Sequence, residues 1–273
     1  MKVAFIGFSE AGPAFADVMI RNGAEVRAFD LRSLDPETAV DQRARTARVG
    51  AKHSGSMAAA FDSAELIFST VTASAAFAVA RDAAQHLTQT QIFCDLNSVA
   101  PATKLAIRDA ITPSGARFVE AVAMGRTAEG RLPPLLLAGP HAATLAPILL
   151  QLGIDAAVAG EEWGAAATVK LLRSVVVKGV EAVLSEAIEG AETIGATPAL
   201  FHTLSDWAPG IDWPTFSAYH LNRVAKHGTR RGAELRECAA LLKSLGVDAP
   251  TTSGAAERQS NMAGRKVVLA KNI

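Results

Sequence analysis

The sequence predicts an α/β fold, with a doubly wound parallel sheet followed by a long interdomain helix and an all-α C-terminal domain. In the first half of the chain, short apolar runs alternate with Ala-rich helical stretches. This pattern is typical of a parallel sheet that carries helices on both faces. After Gly160 the strand pattern stops and long helical stretches follow. We therefore expect one domain at residues 1–160 and a second at residues 161–273.

Six apolar runs are the predicted strands of the sheet. The first is followed by a helical stretch from about Ala11 to Asn22, which Gly23 closes as a C-cap would. Right-handed crossovers bring the carboxyl ends of parallel strands to one edge of the sheet, where such sheets bind their ligands. The six runs are Val3–Gly7, Glu25–Asp30, Leu66–Val71, Ile92–Leu96, Phe118–Ala123 and Leu135–Ala138.

The interdomain helix is predicted to be unusually long. Between Gly164 and Ile194 only two glycines interrupt the helical pattern, and Gly195 and Pro198 then end it. Apolar residues in this helix recur every three or four positions, so we expect them to form a buried stripe. The stripe consists of Val169, Leu172, Val176, Val180, Val183 and Ala187.

Composition and charge argue against several classes of protein. The 27 basic residues equal the 27 acidic ones, whereas a nucleic-acid-binding protein normally carries a basic excess. Cys94, Cys238 and the six histidines have no metal-ligand spacing, so no metal site is expected. Proline and glycine break the apolar stretch Leu132–Leu152, and the opening apolar run is too short for a signal peptide. We expect a cytoplasmic protein with reduced thiols and no membrane span.

The strongest local signal is the turn between the first strand and the first helix. Gly7 permits a tight turn, and Gly12 permits close contact between helix and strand. The free N–H groups and positive dipole end of a helix start attract phosphate. Ser9 departs mildly from the dinucleotide fingerprint of Rossmann-type domains, which prefers glycine there. We predict that Gly7, Ser9, Glu10, Ala11 and Gly12 bind a dinucleotide, which makes residues 1–160 a Rossmann-type domain.

Asp30 ends the second predicted strand and bears on the type of cofactor. An acid at this distance from the glycine turn hydrogen-bonds the ribose 2′-hydroxyl of NAD and repels the 2′-phosphate of NADP. Arg32 weakens the distinction, because it can stack on adenine or accept that phosphate. We expect NAD, with NADP as the alternative cofactor. The alternative interpretation of Asp30 itself is an acid in a solvated loop. Thr70 and Val71 complete the predicted cofactor contacts.

Lys170 lies near the start of the long helix, beside the expected domain boundary. It follows the small residues Gly164–Ala167, which allow a cofactor to approach closely. Helical spacing places Ser174 and Glu181 on the same face. A partly desolvated ammonium can exchange a proton with an alcohol–carbonyl pair, although an arbitrary surface lysine needs no such role.

Four segments of the chain resemble the β-hydroxyacid dehydrogenases, which include 3-hydroxyisobutyrate dehydrogenase, tartronate semialdehyde reductase and, more distantly, 6-phosphogluconate dehydrogenase. Val3–Ala16 is similar to the N-terminal dinucleotide motif, and Asp95–Pro101 to the segment D-x-S-T-x-x-P. Glu120–Gly125 is similar to the substrate-binding D-A-P-V-S-G, and Gly164–Ser174 to the helix G-x-x-x-x-x-K-x-x-x-N. Arg230–Gly246 and Pro250 resemble a less-characterised branch whose C-terminal domain has no known function.

The resemblance implies roles for single residues. Lys170 would be the general acid/base, Gly125 would offer its N–H to a substrate carboxylate, and Asn97 would lie near both nicotinamide and substrate. The chain departs from the family at two substrate contacts, since Met124 replaces a serine and Ser174 replaces an asparagine. These departures imply that redox chemistry is kept while the substrate is changed.

Arg126 follows the substrate-binding motif and is a further predicted substrate contact. It could restore an anion anchor, and a solvent-facing loop arginine is the alternative. Two other groups have open roles. They are the basic cluster His227, Arg230 and Arg231, and the aromatic residues Trp207, Trp213 and Phe216. The basic cluster either binds an acidic substrate or forms a solvated helix face paired with Glu234 and Glu237, and the aromatic residues either shape the substrate pocket or pack in a dimer interface.

We therefore expect an NAD(P)-dependent dehydrogenase or reductase that transfers hydride between a nicotinamide cofactor and a small β-hydroxyacid or related carbonyl compound. By resemblance, residues 161–273 would bind substrate and form a homodimer through the C-terminal helices. An imine reductase is the second hypothesis, but those enzymes usually carry Asp or Tyr at the position of Lys170. A dinucleotide-binding protein without turnover is the third, because the family's substrate-contacting Ser and Asn are missing.

Overall fold

The computed structural model describes residues 1–125 and 132–265. The chain divides into two compact units, Met1–Lys170 and Leu171–Ile273. None of the helices in the described ranges combines the length and apolar character that a membrane-spanning segment needs.

The first unit is built on one eight-stranded sheet. Its strands are β1 (Lys2–Ile6), β2 (Glu25–Phe29), β3 (Lys52–His53), β4 (Leu66–Ser69), β5 (Ile92–Asp95), β6 (Arg117–Ala123), β7 (Leu135–Ala138) and β8 (Ala156–Gly160). Their order across the sheet is β3-β2-β1-β4-β5-β6-β7-β8. The chain thus moves outward from β1 in one direction and then in the other, which confirms the doubly wound topology. Ligands of such sheets bind where this reversal occurs, at the carboxyl ends of β1 and β4.

Two features of the sheet differ from the sequence prediction. β7 runs antiparallel to β6, so the sheet is mixed. A parallel crossover needs about a dozen residues or more, and the connection between these strands is slightly too short for one. The edge strands β3 and β8 were not predicted, because β3 has two residues and β8 is a largely exposed run of alanine, valine and glycine.

Apolar side chains cover both faces of the sheet. On one face the rings of Phe5 and Phe68 stack 5.2 Å apart, and on the other Phe93 and Phe118 lie 6.5 Å apart. Burial on both faces explains why these strands are continuous apolar runs. The helices that alternate with the strands are α1 (Ala11–Arg21), α2 (Ala39–Arg48), α3 (Met57–Phe61), α4 (Ala76–Ala84), α5 (Pro101–Ile111) and α6 (Ala142–Gln151).

The second unit is helical, as the sequence predicts. It contains most of the long helix α7 (Ala165–Thr193), together with α8 (Thr197–Trp207), α9 (Trp213–Ser244) and α10 (Pro250–Asn261). α10 packs closely on α9 because Gly228 and Gly232 have no side chains. A Cβ atom at Gly228 would lie 2.1 Å from the carbonyl oxygen of Gln259, which is closer than any side chain allows.

The apolar stripe predicted on α7 is exposed rather than buried. Val176 and Val183 are 65% and 60% exposed, and Val169, Leu172, Val180 and Ala187 are exposed as well. The buried face of the helix instead includes charged residues such as Lys178 and Glu181, whose charges are balanced by ion pairs. Periodicity finds the apolar face of a helix but cannot tell whether the same chain covers it.

Candidate functional site

The turn between β1 and α1 has the geometry of a phosphate-binding turn. Gly7 adopts a φ of +79°, and a Cβ atom there would lie 2.7 Å from both Thr70 O and Val71 Cγ1. A Cβ atom at Gly12 would lie 2.9 Å from Gly7 O. Thr70 Oγ1 donates a hydrogen bond to Gly7 O at 2.6 Å, so the end of β4 supports the turn. Four predicted cofactor residues, Gly7, Gly12, Thr70 and Val71, therefore lie together.

The start of α1 is open to an anion. Glu10 precedes the helix, Ala11 begins it, and no side chain among the described residues caps its first turn. The first N–H groups of a helix have no partners within it, and the helix dipole is positive there. The glycine turn and the uncapped helix start together fit the pyrophosphate group of a dinucleotide.

Asp30 is buried directly after β2, beside the glycine turn. Its Oδ2 accepts the Phe8 N–H at 2.7 Å, and its Oδ1 accepts the Arg32 N–H at 3.0 Å. Burial by itself raises the pKa of Asp30, but the hydrogen bonds from Arg32 and Phe8 outweigh it and leave that pKa below its usual value. The carboxylate is thus charged at neutral pH, which makes it a strong acceptor for hydroxyl groups.

Arg32 belongs to the same cluster of polar contacts. Its Nη2 donates to Ser9 Oγ at 2.6 Å and to Gln42 Oε1 at 3.1 Å. Gln42 also donates to Phe8 O at 3.0 Å, and Arg45 donates to Ser9 O. Gln42 and Arg45 come from α2 and were not predicted, because nothing in the sequence marks which side chains of a polar helix face the turn.

Asn97 lies in a buried polar cluster at the carboxyl end of β5. Its Nδ2 donates to Ser69 Oγ at 2.9 Å and to Asp95 Oδ1 at 2.5 Å. Lys104, from α5, donates to Asp95 Oδ2 at 2.6 Å and to Ala121 O at 3.0 Å. Lys104 is fully buried, and this cluster fixes the chain that follows β5. Lys104 was missed because a lysine in an amphipathic helix usually faces solvent.

Lys170 lies at the same edge of the sheet. Its Nζ donates a hydrogen bond to Ser98 Oγ at 2.8 Å. Ser98 directly follows Asn97, in the loop after β5, and its side chain is exposed. Because β1 and β5 point the same way in one sheet, the loop that carries Ser98 leaves the sheet at the edge where the glycine turn lies. Ser98 was not predicted as a site residue, although it stands within the motif that starts at Asp95.

The structure describes three of the other four predicted substrate residues. Met124 donates its N–H to Pro134 O at 2.9 Å and is half-buried, and Gly125 is exposed directly after it. Arg126 lies outside the described residues. Ser174 is half-buried on α7, one helical turn after Lys170.

Comparison with known protein families accounts for this arrangement. The model of the NAD binding domain of 6-phosphogluconate dehydrogenase matches residues 2–160, which is more than half of the chain. The chain belongs to this NAD-binding family. In the C-terminal part of the chain, residues 191–262 match a domain of unknown function, DUF1932. This match confirms the resemblance to the less-characterised branch. The family match covers the glycine turn, Asp30 and the loop after β5.

Many solved structures share the fold of this family member, and three of them show the range of similarity. A conserved hypothetical protein from Sinorhizobium meliloti is 38% identical, with a TM-score of 0.83 over 95% of this chain and 87% of that one. The conserved protein MTH1747, of unknown function and similar in structure to 3-hydroxyacid dehydrogenases, is 26% identical, with a TM-score of 0.81 over 96% of each chain. The 3-hydroxyisobutyrate dehydrogenase of Mycobacterium tuberculosis is 18% identical, with a TM-score of 0.77 over 95% of this chain and 92% of its own.

Within the C-terminal part of this NAD-binding protein, the basic cluster is not one solvated face. Arg230 pairs with Glu234, but Arg231 is buried and pairs with Glu181. Of the aromatic residues, Trp213 packs with Phe216 in the core of the second unit, whereas Trp207 is 77% exposed. Within residues 1–125 and 132–265, no group of three or more His, Cys, Asp or Glu side chains is placed to hold a metal ion.

Proposed function

We propose that this protein is an NAD(P)-dependent oxidoreductase that acts on a small β-hydroxyacid or a related alcohol or carbonyl compound, with Lys170 as general acid/base. The observation that carries the proposal is the 2.8 Å hydrogen bond from Lys170 Nζ to Ser98 Oγ, at the sheet edge that also carries the glycine turn. Membership of the NAD-binding family supports the cofactor. The fold shared with 3-hydroxyisobutyrate dehydrogenase supports the substrate class.

The chemistry requires a hydride and a proton. The nicotinamide, when bound, supplies or accepts the hydride at the substrate carbon. In the reductive direction, the Lys170 ammonium donates a proton to the carbonyl oxygen; in the oxidative direction, the neutral amine removes the proton from the hydroxyl. A positioned acid/base of this kind is worth about 10²–10⁴ in rate. Ser98 holds the Lys170 side chain at the loop after β5, so the amine is pre-oriented.

The remaining site residues keep their predicted roles in this proposal. Asn97 would lie next to the nicotinamide ring, the Gly125 N–H would donate a hydrogen bond to a substrate carboxylate, and Met124 would form an apolar wall. Ser174 would be a further substrate contact. Residues 1–160 would form the dinucleotide-binding domain, and residues 161–273 the substrate and dimerisation domain.

NAD is the proposed cofactor because the Asp30 carboxylate is ionised beside the turn and would repel a 2′-phosphate. Arg32 favours NADP as the second candidate, since its side chain is 44% exposed and hydrogen-bonded to Ser9. Measured dissociation constants should be lower for NADH than for NADPH in the wild type. Arg32→Gln should weaken NADPH binding more than NADH binding. Tighter binding of NADPH by the wild type would make NADP the cofactor.

A homodimer is the proposed assembly. An exposed apolar stripe supports it, formed by Leu172, Val176, Val180, Val183 and Ala187 on α7. Contiguous apolar surface of this kind on a folded protein commonly marks a protein–protein contact.

The experiment that tests the function is a cofactor-oxidation assay with a panel of substrates. Wild type, Lys170→Ala and the exposed-lysine control Lys243→Ala are incubated with NADH or NADPH and with semialdehydes, 2-oxoacids or cyclic imines. We expect turnover with a semialdehyde or 2-oxoacid, unchanged in Lys243→Ala. Lys170→Ala should lose about 10²–10⁴ in kcat and keep its affinity for the cofactor.

Each other outcome points to a different function. Turnover with imines alone would make the protein an imine reductase. Cofactor binding without turnover on any substrate would support a non-catalytic dinucleotide-binding protein. Full activity in Lys170→Ala would remove this residue from its proposed role.

A further inference from the structure

A fully buried carboxylate, Glu120, contacts the start of the helix that carries Lys170. Glu120 lies in the middle of β6 and has no solvent exposure. Its Oε1 accepts the Ala167 N–H at 2.7 Å, and its Oε2 accepts the Gly164 N–H. These two donors lie 44 and 47 residues later in the chain, so the contact is entirely tertiary.

The contact replaces a local helix cap. Gly164 directly precedes α7 and has no side chain, so it cannot accept a hydrogen bond from the first turn as serine or aspartate would. The first N–H groups of a helix need acceptors, and a negative charge near them is favourable because the helix dipole is positive at that end. Glu120 supplies both the acceptor atoms and the charge from the neighbouring strand.

This cap sets the position from which Lys170 reaches the loop after β5. Lys170 follows Ala167 by about one helical turn, and its Nζ reaches Ser98 Oγ at 2.8 Å. A change in how α7 starts moves the Lys170 side chain with it, because the intervening turn is regular helix. Gly164 has a φ of +91°, a conformation that leaves little choice of another residue at this start.

The other half of the Lys170–Ser98 contact is held from the adjacent strand. Asp95 of β5 is the register partner of Glu120 in β6. Asp95 binds Asn97 and Lys104 and so fixes the loop that carries Ser98. Two neighbouring buried acids of the sheet therefore hold the two sides of one hydrogen bond.

We propose that Glu120 is a positioning residue, which sets Lys170 for proton transfer by capping α7 from β6. The inference rests on the proposed function, since it takes Lys170 as the general acid/base. Misplacement of a catalytic group by about 1 Å can cost about 10² in rate. Glu120→Gln keeps the shape of the side chain, but its amide N–H₂ then faces a backbone N–H, so one of the two hydrogen bonds is lost.

The test compares Glu120→Gln and Glu120→Asp with wild type and with Ser56→Ala. Ser56 is a matched control, because its Oγ caps α3 by accepting the Ala59 N–H at 3.1 Å, away from the Lys170–Ser98 contact. We expect kcat to fall about 10²-fold in Glu120→Gln, while KM and the dissociation constant of NADH stay within about threefold. Glu120→Asp keeps both acceptor atoms and the charge and should recover part of kcat. Ser56→Ala should keep kcat.

A double variant separates positioning from general stability. If Glu120 acts through Lys170, then Glu120→Gln has no further effect on the residual turnover of Lys170→Ala. Additive losses in the double variant, or an unchanged kcat in Glu120→Gln, would overturn the inference. Amide hydrogen exchange provides a readout without turnover, and we expect the Gly164 and Ala167 amides to exchange faster in Glu120→Gln. Unchanged exchange there would overturn the cap itself, whereas a wild type inactive on every substrate would overturn the proposed function.

Discussion

The two units of this protein bury charged side chains in different places. In the first unit, Asp95, Lys104 and Glu120 lie around the carboxyl end of β5, in a sheet whose two faces are largely apolar. In the second unit, buried charges connect three helices. Glu181 of α7 lies 2.8 Å from His220 Nδ1, accepts the Gln259 Nε2–H at 3.1 Å and pairs with Arg231.

Buried charges have different roles in the two units. Each buried charge has a high desolvation cost, which is offset only by well-placed partners. In the first unit the partners are backbone and side-chain groups at the proposed site, so the buried charges set the shape of that site. In the second unit they lie on separate helices, and the ion pairs tie α7, α9 and α10 together around small apolar clusters.

The largest effect on stability is expected in the second unit. Glu181→Ala leaves the buried Arg231 without this carboxylate, and removal of one partner of a buried ion pair costs about 3–5 kcal/mol in the free energy of unfolding. Urea denaturation followed by circular dichroism measures the loss. Arg265→Gln, which alters an exposed pair with Glu189, is the control and should leave the transition almost unchanged. A loss in Glu181→Ala as small as that of the control would show that the buried network carries no stability.

A somewhat smaller loss, about 3 kcal/mol, is expected in the first unit from Lys104→Met, which leaves the Asp95 carboxylate buried without its 2.6 Å ammonium partner. Lys104→Met should also lower turnover, because Asp95 and Asn97 support the loop that carries Ser98. A separate measurement on Glu181→Ala should show the same affinity for NADH as the wild type. Lys52→Met, at an exposed edge position, is the control for loss of a lysine. Equal turnover in Lys104→Met and wild type would show that the buried Lys104–Asp95 pair does not affect the proposed site.

An intermediate effect is expected on assembly. Val176 and Val183 are the most exposed valines of the α7 stripe, and their replacement by glutamate in a double variant puts charge onto an apolar contact. The dissociation constant of the dimer, measured by analytical ultracentrifugation, should rise by at least about tenfold, which is about 1.4 kcal/mol. Glu192→Lys changes an exposed residue outside the stripe and should leave the dissociation constant of the dimer unchanged. A dimer that tolerates both glutamates would have its contact elsewhere.

The smallest effect concerns acid stability of the second unit. Burial by itself raises the pKa of Glu234, but its hydrogen bond with Lys178 and the charges of Lys178 and Arg230 outweigh it and leave that pKa below its usual value of 4.5. The folded state therefore binds this proton less readily than the unfolded state, so the ionised carboxylate contributes stability above pH 4.5, and that contribution is lost as the pH falls through the folded-state pKa. Because the side chain is one-third exposed, we expect less than about 1 kcal/mol. Glu234→Gln should flatten the decline in unfolding free energy below about pH 5, and an identical pH profile in the variant would contradict this.

Much of the fold was predictable because its signals are local. The strand prediction Leu135–Ala138 matches β7, and the predicted helix Gly164–Ile194 differs from α7 by one residue at each end. The turn residues Gly7 and Gly12 were also predictable, since a tight turn and a close approach of the backbone each demand glycine. Cofactor preference, substrate contacts and the role of Lys170 stay predictions.

The sequence by itself determined six of the strands, the long helix α7 and the place of the glycine turn, because apolar periodicity and glycine act within a few residues. Only the tertiary structure decided which polar side chains are buried and what they contact. Glu120 reaches a helix that begins more than 40 residues later, and Lys104 turns inward to Asp95. Likewise, the two faces of α7 differ in burial because of what packs against them. Such contacts depend on the final positions of distant segments, and no local pattern records them.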